Sequence, residues 1–440
     1  MPHSTTQNSD TPAIAQQWQN IQAHNPRLAA LITPPSSASL NPQSGPLGGV
    51  TVSLKDNIDT AGIPTTAGAA FWKHRVPRHN AYVVERLLAA GATPFGKANM
   101  TELAWGVRSY SATGGQCRNP WDEQRIAGGS SGGSAASIAA GLCHASLGTD
   151  TGGSVRLPAS FCGVTGLRPT HGRISNHGVI PLSESHDTIG PMARSAAEVA
   201  RLFNAIAGYD HQDPYSQAQA MNAVTTQLEH PLQGITIGIP KNYYFDYCQD
   251  EVGAAVMQAA TQLESQGAIL KAISIPLVEQ AQAMAACIMF SEVCALYEER
   301  LQQEPESISF DIRSRMEHGF VYNGRDYARA VAFRQRWRQT LRDIYQKVDI
   351  MLVPTTTQTA PLIDDGQTLY AITRELARNT YPSSLASIPS LSVPCGFGAG
   401  QLPIGMLLEA PWWQEALLLR VAHQYQQRSD FHLQTPAWLD

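Results

Sequence analysis

The chain of 440 residues has few charged side chains, since Asp, Glu, Lys and Arg make up 15% of the sequence and leave a net charge of −5. An average soluble domain carries about 25%. Because proteins bind phosphate backbones through clustered Lys and Arg, this composition argues against nucleic acid as a partner. The sequence also lacks any run of about 18 apolar residues, so we expect no membrane-spanning helix and no membrane partner.

Cysteine patterns and targeting signals are missing as well. The seven cysteines are scattered, odd in number and without a C-x-x-C pair, which argues against a disulfide framework and against a zinc site. The N-terminal sequence MPHSTTQNSDTP has no basic stretch followed by an apolar one, so we expect no signal peptide. These features predict a cytoplasmic protein.

What the sequence does contain is a hydrophobic fraction of 43%, which excludes intrinsic disorder over most of its length. Short apolar runs alternate with helical patterns, and this order predicts an α/β protein whose sheet carries helices on its faces. We predict a flexible tail over residues 1–12 and a single domain over 13–440. Long helical patterns at 278–303 and 325–346 predict a helical segment at about 278–346.

The most unusual stretch is GGSSGGS at 128–134, where four glycines occupy six positions. Such backbone adopts positive φ or allows another group to approach closely. The stretch does not match the phosphate-binding loops, because neither G-x-x-x-x-G-K-[ST] nor G-x-G-x-x-G opening a helix is present. Taken alone, it is equally well interpreted as a tight loop of small residues.

A second glycine turn, GTDTGGSVR at 148–156, places two glycines directly before Ser154. Glycines leave backbone N–H groups unobstructed, as an oxyanion hole requires, and a serine behind them is placed like a nucleophile. Serine needs a base. None of the 13 histidines lies in a recognisable motif, whereas Lys55 ends an apolar β-type run where desolvation would lower its pKa. Considered alone, Lys55 is better interpreted as a lysine paired with a nearby Asp.

Together, SLKDN at 53–57, GGSSGGS at 128–134 and GTDTGGSVR at 148–156 resemble the amidase signature family. The resemblance covers about residues 13–425. It implies that family's fold, an α/β structure with a large mixed, mostly parallel β-sheet covered by helices on both faces. Further matches are KANMTELAWG at 97–106, RNPWD at 118–122, PASFCGVTGLRPTHGRIS at 158–175 and DTIGPMARS at 187–195.

The resemblance also implies a Ser-cisSer-Lys triad. Ser154 would be the nucleophile, Ser130 the bridging serine after a cis peptide bond, and Lys55 the base. The family's oxyanion hole maps onto the N–H groups of Thr151, Gly152, Gly153 and Ser154. Supporting roles fall to the ancillary hydroxyl of Ser131, to Asp150 beside the glycine loops and to Arg156 beneath the nucleophile. No metal and no nucleotide or organic cofactor is implied.

The substrate implied is a small-molecule amide that releases ammonia or an amine. Family members that recognise a carboxylate carry Arg three residues after the nucleophile, and Leu157 at that position argues against an acidic amide. The segments at 152–163 and 379–394 are most similar to the arylacetamide and small-amide hydrolase branch. We expect Trp105 to line the substrate pocket, where its ring could stack on a planar or aromatic group. We expect Tyr322 and Arg325 to bind a polar head group of the substrate.

Other functions stay open. A urea-derived substrate of the allophanate, biuret or guanylurea type is one alternative. Another is the ammonia-releasing A subunit of a tRNA-dependent amidotransferase, although 440 residues are short for it and the segment before Tyr381 lacks an acid-rich pattern. A catalytically dead binding protein is disfavoured because all three triad residues are present. Dimers are frequent in the resembled family, so a homodimer is left open.

Overall fold

The computed structural model describes residues 13–36 and 44–439, so the predicted flexible tail at 1–12 lies outside the described residues. The α-helices are α1 (Ile14–Leu28), α2 (Tyr82–Ala89), α3 (Gly132–Ala139), α4 (Arg156–Cys162), α5 (Ala196–Ile206), α6 (Asp250–Ser265), α7 (Val278–Gln303), α8 (Phe310–Glu317), α9 (Gly324–Tyr345), α10 (Leu369–Leu376), α11 (Tyr381–Ala386) and α12 (Glu415–Gln426). The strands are β1 (Leu31–Thr33), β2 (Thr51–Lys55), β3 (Thr93–Ala98), β4 (Tyr110–Ser111), β5 (Gly115–Gln116), β6 (Arg118–Asn119), β7 (Asp122–Ile126), β8 (Ala145–Asp150), β9 (Thr165–Arg168), β10 (Thr188–Ala193), β11 (Thr236–Pro240), β12 (Ile269–Ile273), β13 (Ile350–Pro354), β14 (Ser390–Gly398) and β15 (Leu402–Glu409).

Eleven of the strands form one sheet in the order β1-β3-β2-β8-β10-β9-β14-β15-β13-β11-β12. The predicted mixed sheet is therefore confirmed, but a parallel majority is wrong. The parallel pairs are β2–β3, β2–β8, β11–β12 and β11–β13, and the other neighbours run antiparallel. In the centre, β14 and β15 are joined by the short turn Ala399–Gln401, and only antiparallel strands can be joined so tightly.

Helices cover both faces of this sheet, as predicted. Along β13, Ile350 and Leu352 belong to one apolar cluster, whereas Met351 and Val353 belong to a second. Because successive side chains of a strand point to opposite faces, the two clusters lie on opposite sides of the sheet. The first cluster includes side chains of α2, α5, α6 and α12, and the second includes those of α7, α8, α9, α10 and α11.

The range 278–346, for which the sequence predicts a helical segment, holds α7, α8 and α9. Helix α9 starts at a capping box in which the Asn323 side chain accepts from the N–H of Asp326. Among the described helices, none combines the length and the apolar character needed to cross a bilayer. That residues 13–440 form a single domain stays a prediction.

Two neighbouring parallel strands bring the predicted triad to one edge of the sheet. Strand β2 ends at Lys55, and β8, which pairs with it in parallel, ends at Asp150. The carboxyl ends of parallel neighbours meet at the same edge, where α/β proteins commonly bind ligands. Helix α3 starts directly after Ser131 and α4 starts two residues after Ser154, so both serine loops lie at this edge.

Candidate active site

Lys55 is fully buried, and its ammonium position is fixed by hydroxyl and carbonyl oxygens. Its Nζ lies 2.8 Å from Ser130 Oγ, 2.7 Å from Thr149 Oγ1 and 3.3 Å from the Thr149 carbonyl oxygen. Burial lowers the pKa of Lys55, and the negative charges of Asp187 and Asp150 act to raise it. Burial is the larger effect, so the pKa falls to about 7. A large fraction of Lys55 is therefore neutral near pH 7 and can accept a proton.

The two serines of the triad differ in exposure. The peptide bond between Gly129 and Ser130 is cis, as predicted, and the Ser130 side chain is buried. Ser154 is partly exposed, and within the described residues its hydroxyl has no hydrogen-bond partner. Its carbonyl oxygen accepts from the N–H of Ser131 at 3.2 Å, which ties the two serine loops together. The Lys55–Ser130 hydrogen bond of the relay is thus formed, whereas the described residues show no hydrogen bond between Ser130 and the Ser154 hydroxyl.

The glycine turn before Ser154 is shaped by close packing. A Cβ on Gly152 would lie 2.3 Å from the Tyr381 ring, and one on Gly153 would lie 2.3 Å from Thr380 Oγ1. The N–H of Gly153 donates to Asp150 Oδ1 at 2.8 Å, so the assignment of Gly153 to the oxyanion hole is wrong. The predicted donors left at this turn are the N–H groups of Thr151, Gly152 and Ser154.

The residues predicted to support the site lie beneath this turn. Asp150 is fully buried and pairs with Arg156 at 2.9 Å and with Arg168 at 3.0 Å. Burial acts to raise the pKa of Asp150, but the guanidinium groups of Arg156 and Arg168 hold it well below its ordinary value. Arg156 also donates to Ser383 Oγ and Ser384 Oγ, and Ser131 Oγ donates to the Thr149 carbonyl oxygen at 3.1 Å. The turn is therefore anchored to both β8 and α11.

Asp187 is a residue that our sequence reasoning missed, although it opens the DTIGPMARS motif. Its carboxylate accepts from Thr151 Oγ1 at 2.5 Å and from the N–H groups of Leu182 and Ser183 at 2.7 and 3.0 Å. Burial raises the pKa of Asp187 to about 6, and its charge acts to raise the pKa of Lys55. Asp187 therefore connects the oxyanion turn electrostatically to the base.

Ser154 lines a small cavity of about 20 Å³, which we call the inner cavity. Trp105, which the sequence suggested for the pocket, lines it, and so does Leu157. Apolar side chains and backbone make up most of the wall, and the charged side chain in it is Arg315. The full lining comprises Ala104, Trp105, Gly106, Val107, Thr151, Gly152, Gly153, Ser154, Leu157, Leu182, Met289, Arg315, Thr373, Ala377 and Tyr381.

Arg315 is a buried cation without an acidic partner in the described part of the chain. Its guanidinium carbon lies 3.6 Å from the centre of the Trp105 ring and 5.1 Å from that of Phe290. Burial lowers its pKa from the ordinary value, and the tyrosine hydroxyls of Tyr381 and Tyr370 act in the opposite direction. A buried charge left without a counter-ion is costly, so this site favours an anionic group on the ligand.

The other two pocket residues suggested by the sequence lie elsewhere. Tyr322 lines a second cavity next to the inner one, and Arg325 is exposed at the start of α9, where it lines neither cavity. The assignment of Arg325 to the pocket is therefore wrong. The sequence does hold a signal for Arg315, since Ile312, Arg315 and Met316 share one helical face and that face is buried.

The polar groups at this edge suit acyl transfer by a serine. They comprise the partly exposed hydroxyl of Ser154, a lysine of lowered pKa that is hydrogen-bonded to the buried Ser130, and the backbone N–H groups of the glycine turn next to Ser154. In residues 13–36 and 44–439, no group of three or more His, Cys, Asp and Glu side chains is arranged to hold a metal ion.

The comparisons with known proteins identify the class. The family model described as Amidase matches residues 27–419, and the chain belongs to the amidase family. It is thus an enzyme of a family that hydrolyses C–N bonds.

Particular relatives narrow the comparison. The chain is 39% identical to the A subunit of glutamyl-tRNA(Gln) amidotransferase from Synechococcus sp. (strain RCC307), covering 89% of this chain and 86% of the relative. Among solved structures, it superposes with a TM-score of 0.89 and 32% identity on a chain from a vestigial protein complex that reveals the evolutionary origins of an s-triazine catabolic enzyme, covering 94% of both. The chain also superposes on native peptide amidase from Stenotrophomonas maltophilia with a TM-score of 0.82 and 30% identity, covering 95% of this chain and 93% of the peptide amidase.

These relatives correct one expectation. The low Lys and Arg content suggested that nucleic acid plays no part, but relatives matched over most of this chain are subunits of an enzyme named for a transfer RNA. The expectation of no nucleic acid is therefore wrong. The Lys and Arg content misled here because it averages the charge over the whole surface. A subunit of a complex can contact nucleic acid through a limited part of its surface.

Proposed function

We propose that this chain hydrolyses the side-chain amide of glutamine or a similar carboxylate-bearing carboxamide through an acyl-enzyme on Ser154. We further propose that it does so in the cytoplasm, as the A-type subunit of an amidotransferase like its curated relatives. The observation that carries the proposal is the presence of Arg315, a buried cation without an acidic partner, in the same cavity as the Ser154 hydroxyl. An amide with a carboxylate at its other end matches these two groups.

The chemistry follows from the groups at the sheet edge. Neutral Lys55 accepts a proton from Ser130, which takes one from Ser154 as its Oγ attacks the amide carbonyl carbon. The N–H groups of Thr151 and Gly152 stabilise the negative charge that develops on the carbonyl oxygen. The relay then returns the proton to the leaving nitrogen, and ammonia departs as the C–N bond breaks. Water attacks the ester by the same relay and releases the acid.

Arg315 bears on the earlier argument that Leu157, which stands where carboxylate-binding family members carry Arg, speaks against an acidic amide. At the position three residues after the nucleophile, Leu157 contributes an apolar side chain to the inner cavity. The cation that a carboxylate needs is supplied instead by α8, which packs against the same cavity. An acidic amide is therefore compatible with this site even though the local motif argued against it.

Ammonia release from L-glutamine and from the neutral phenylacetamide tests the proposal. Ser154→Ala should lower kcat by about a thousandfold or more on both amides, because the acyl-enzyme cannot form. Arg315→Met should raise KM for glutamine by about ten- to a hundredfold and leave KM for phenylacetamide within about twofold, since one charge-assisted contact is lost.

Arg325→Met is the matched control, because Arg325 is exposed and lines neither cavity. It should behave as the unmodified chain on both amides. Glutamine turnover that persists in Ser154→Ala would contradict the assigned nucleophile. An equal loss on both amides in Arg315→Met, or none on either, would contradict the assigned carboxylate contact.

A second candidate, the hydrolysis of a free ureido amide, is favoured by the superposition on the chain connected with s-triazine catabolism. Biuret and allophanate added to the same panel separate the two. Efficient turnover of a ureido compound by the isolated chain, with little on glutamine, would favour this candidate. Glutamine hydrolysis that increases when amidotransferase partner proteins are added would favour the first.

A further inference from the structure

A second cavity, which we call the outer cavity, lies beside the inner one and has a volume of about 330 Å³. Helices α7 and α10 provide most of its wall. Three arginines line it, namely Arg315, Arg374 and Arg378, whereas its one acidic side chain is Glu279. The outer cavity is therefore positively charged.

The three arginines differ in what they contact. The guanidinium carbon of Arg378 lies 3.8 Å from the centre of the Tyr243 ring, and its Nη2 lies 3.8 Å from Asp246 Oδ2. The charge of Arg378 is therefore partly compensated within the protein. Arg374 is exposed on α10, and in the described part of the chain its guanidinium has no hydrogen bond or ion pair. Glu279 accepts from Asn242 Nδ2 at 3.1 Å. Arg374 thus presents an uncompensated positive charge at the wall of this cavity.

The outer cavity adjoins the inner one, because two side chains line both. Arg315 and Tyr381 line both cavities, so they form the partition between them. Exposure falls along the way inward, from the exposed Arg374 through the half-buried Arg378 to the buried Arg315. The three guanidinium groups of the outer cavity therefore differ in exposure, and the most buried of them, that of Arg315, also lines the cavity of Ser154.

We propose that the outer cavity is the docking site through which the carboxylate of the substrate enters, with Arg374 and Arg378 attracting it before Arg315 binds it. This inference rests on the proposed function, because it takes the substrate to be a carboxylate-bearing amide. Like-signed charges along a cleft focus the field and raise the local concentration of an oppositely charged ligand. Salt weakens such attraction at exposed sites, since the Debye length falls from about 20 Å to below 10 Å as ionic strength rises from tens to hundreds of millimolar.

The test uses two serine-directed reagents of similar shape and different charge, para-(fluorosulfonyl)benzoate and the neutral para-nitrobenzenesulfonyl fluoride. Their second-order rate constants for modifying Ser154 are measured on the full chain at about 20 mM and about 300 mM salt. Arg374→Glu should slow the anionic reagent by about three- to tenfold at low salt and by clearly less at high salt. The neutral reagent should react at an unchanged rate.

Arg325→Glu serves as the matched control, because it makes the same charge change at an exposed arginine that lines neither cavity. An anionic reagent slowed equally by both variants would overturn the route, since the effect would then follow from net charge. Rates in Arg374→Glu unchanged for both reagents would also overturn the route, while the Ser154 assignment would stand. If neither reagent modified Ser154 in the unmodified chain, the proposed function would fail, and the route that rests on it would fail too.

Discussion

The reactivity of this site depends on the charge state of one buried residue, Lys55. Burial alone favours the neutral amine, because an ammonium loses its hydration, and the nearby carboxylates of Asp187 and Asp150 favour the charged form. Desolvation is the larger effect, and the pKa of Lys55 falls to about 7. The same side chain on the protein surface would be protonated at that pH and could not accept a proton.

This balance predicts the pH dependence of the reaction. Only neutral Lys55 accepts the proton, so kcat/KM should be low at pH 5, rise with pH, be half-maximal near pH 7 and level off above it. Measuring kcat/KM for glutamine between pH 5 and pH 9 checks the expectation. A profile that is flat across pH 7, or one that falls as pH rises through it, would place the base elsewhere.

The Asp187 carboxylate should set where that midpoint lies. Its charge raises the pKa of Lys55, so Asp187→Asn should move the midpoint of the profile to lower pH. The variant also weakens the contact to Thr151, which lowers the rate at every pH without moving the midpoint. Asp343→Asn, at an exposed carboxylate on α9, is the control and should leave the profile unchanged. A lower rate with an unmoved midpoint would reduce Asp187 to a structural role.

At the scale of single elements, α8 decides where Arg315, the proposed contact for the substrate carboxylate, lies. The helix begins after Ser309, whose N–H donates to the buried Glu102 carboxylate at 3.4 Å and whose hydroxyl donates to it as well. A carboxylate beside a helix N-terminus is favoured by the helix dipole. Three residues beyond Glu102, the Trp105 ring faces Arg315. The short turn from Glu102 to Trp105 therefore contacts α8 at Ser309 and at Arg315, and these two contacts fix the position of the Arg315 guanidinium.

Glu102→Gln should loosen this arrangement without touching the substrate. We expect KM for glutamine to rise about three- to tenfold, with kcat on phenylacetamide nearly unchanged, because a charge-assisted contact becomes a neutral one. Glu264→Gln, at an exposed carboxylate on α6, is the matched control and should change neither constant. Equal losses on both amides would indicate general destabilisation instead of a misplaced Arg315.

How well individual elements could be predicted depended on their length. Helix α7 has the bounds 278–303 that the apolar pattern predicts, and α9 differs from its prediction of 325–346 by one residue at each end. The Ala-rich composition of 135–145 favours a helix, but α3 ends at Ala139 and β8 begins at Ala145. Helix α8 lies between the two long helical patterns, and its two turns are too short for the apolar periodicity to be visible in the sequence.

Over the whole molecule, burial limits the reactivity of the seven cysteines. All seven are free thiols, and Cys248 is the one that is not fully buried. Burial also raises the pKa of Cys248, to about 11, so its reaction should be slow.

Thiol titration checks this arrangement. The native chain should show about one accessible thiol and the denatured chain all seven, and Cys248→Ser should remove the native signal. Several thiols reacting rapidly in the native chain would contradict the packing described for the sheet and its helices.

The sequence by itself determined the nucleophile, bridging serine and base assigned to this protein. Each lies in a contiguous motif, and the order and spacing of Lys55, Ser130 and Ser154 are legible without knowing how the chain folds. The family match at residues 27–419 includes all three motifs, and the roles of the three residues stay a prediction.

Only the tertiary structure decided what surrounds them. The N–H of Gly153 turned out to be held by Asp150, and the charge facing the inner cavity turned out to come from Arg315, far along the chain from the glycine motifs. Arg325, with the same side chain, lies outside both cavities. The physical reason is that contacts between distant segments depend on how helices pack on the sheet, and no local pattern encodes that packing.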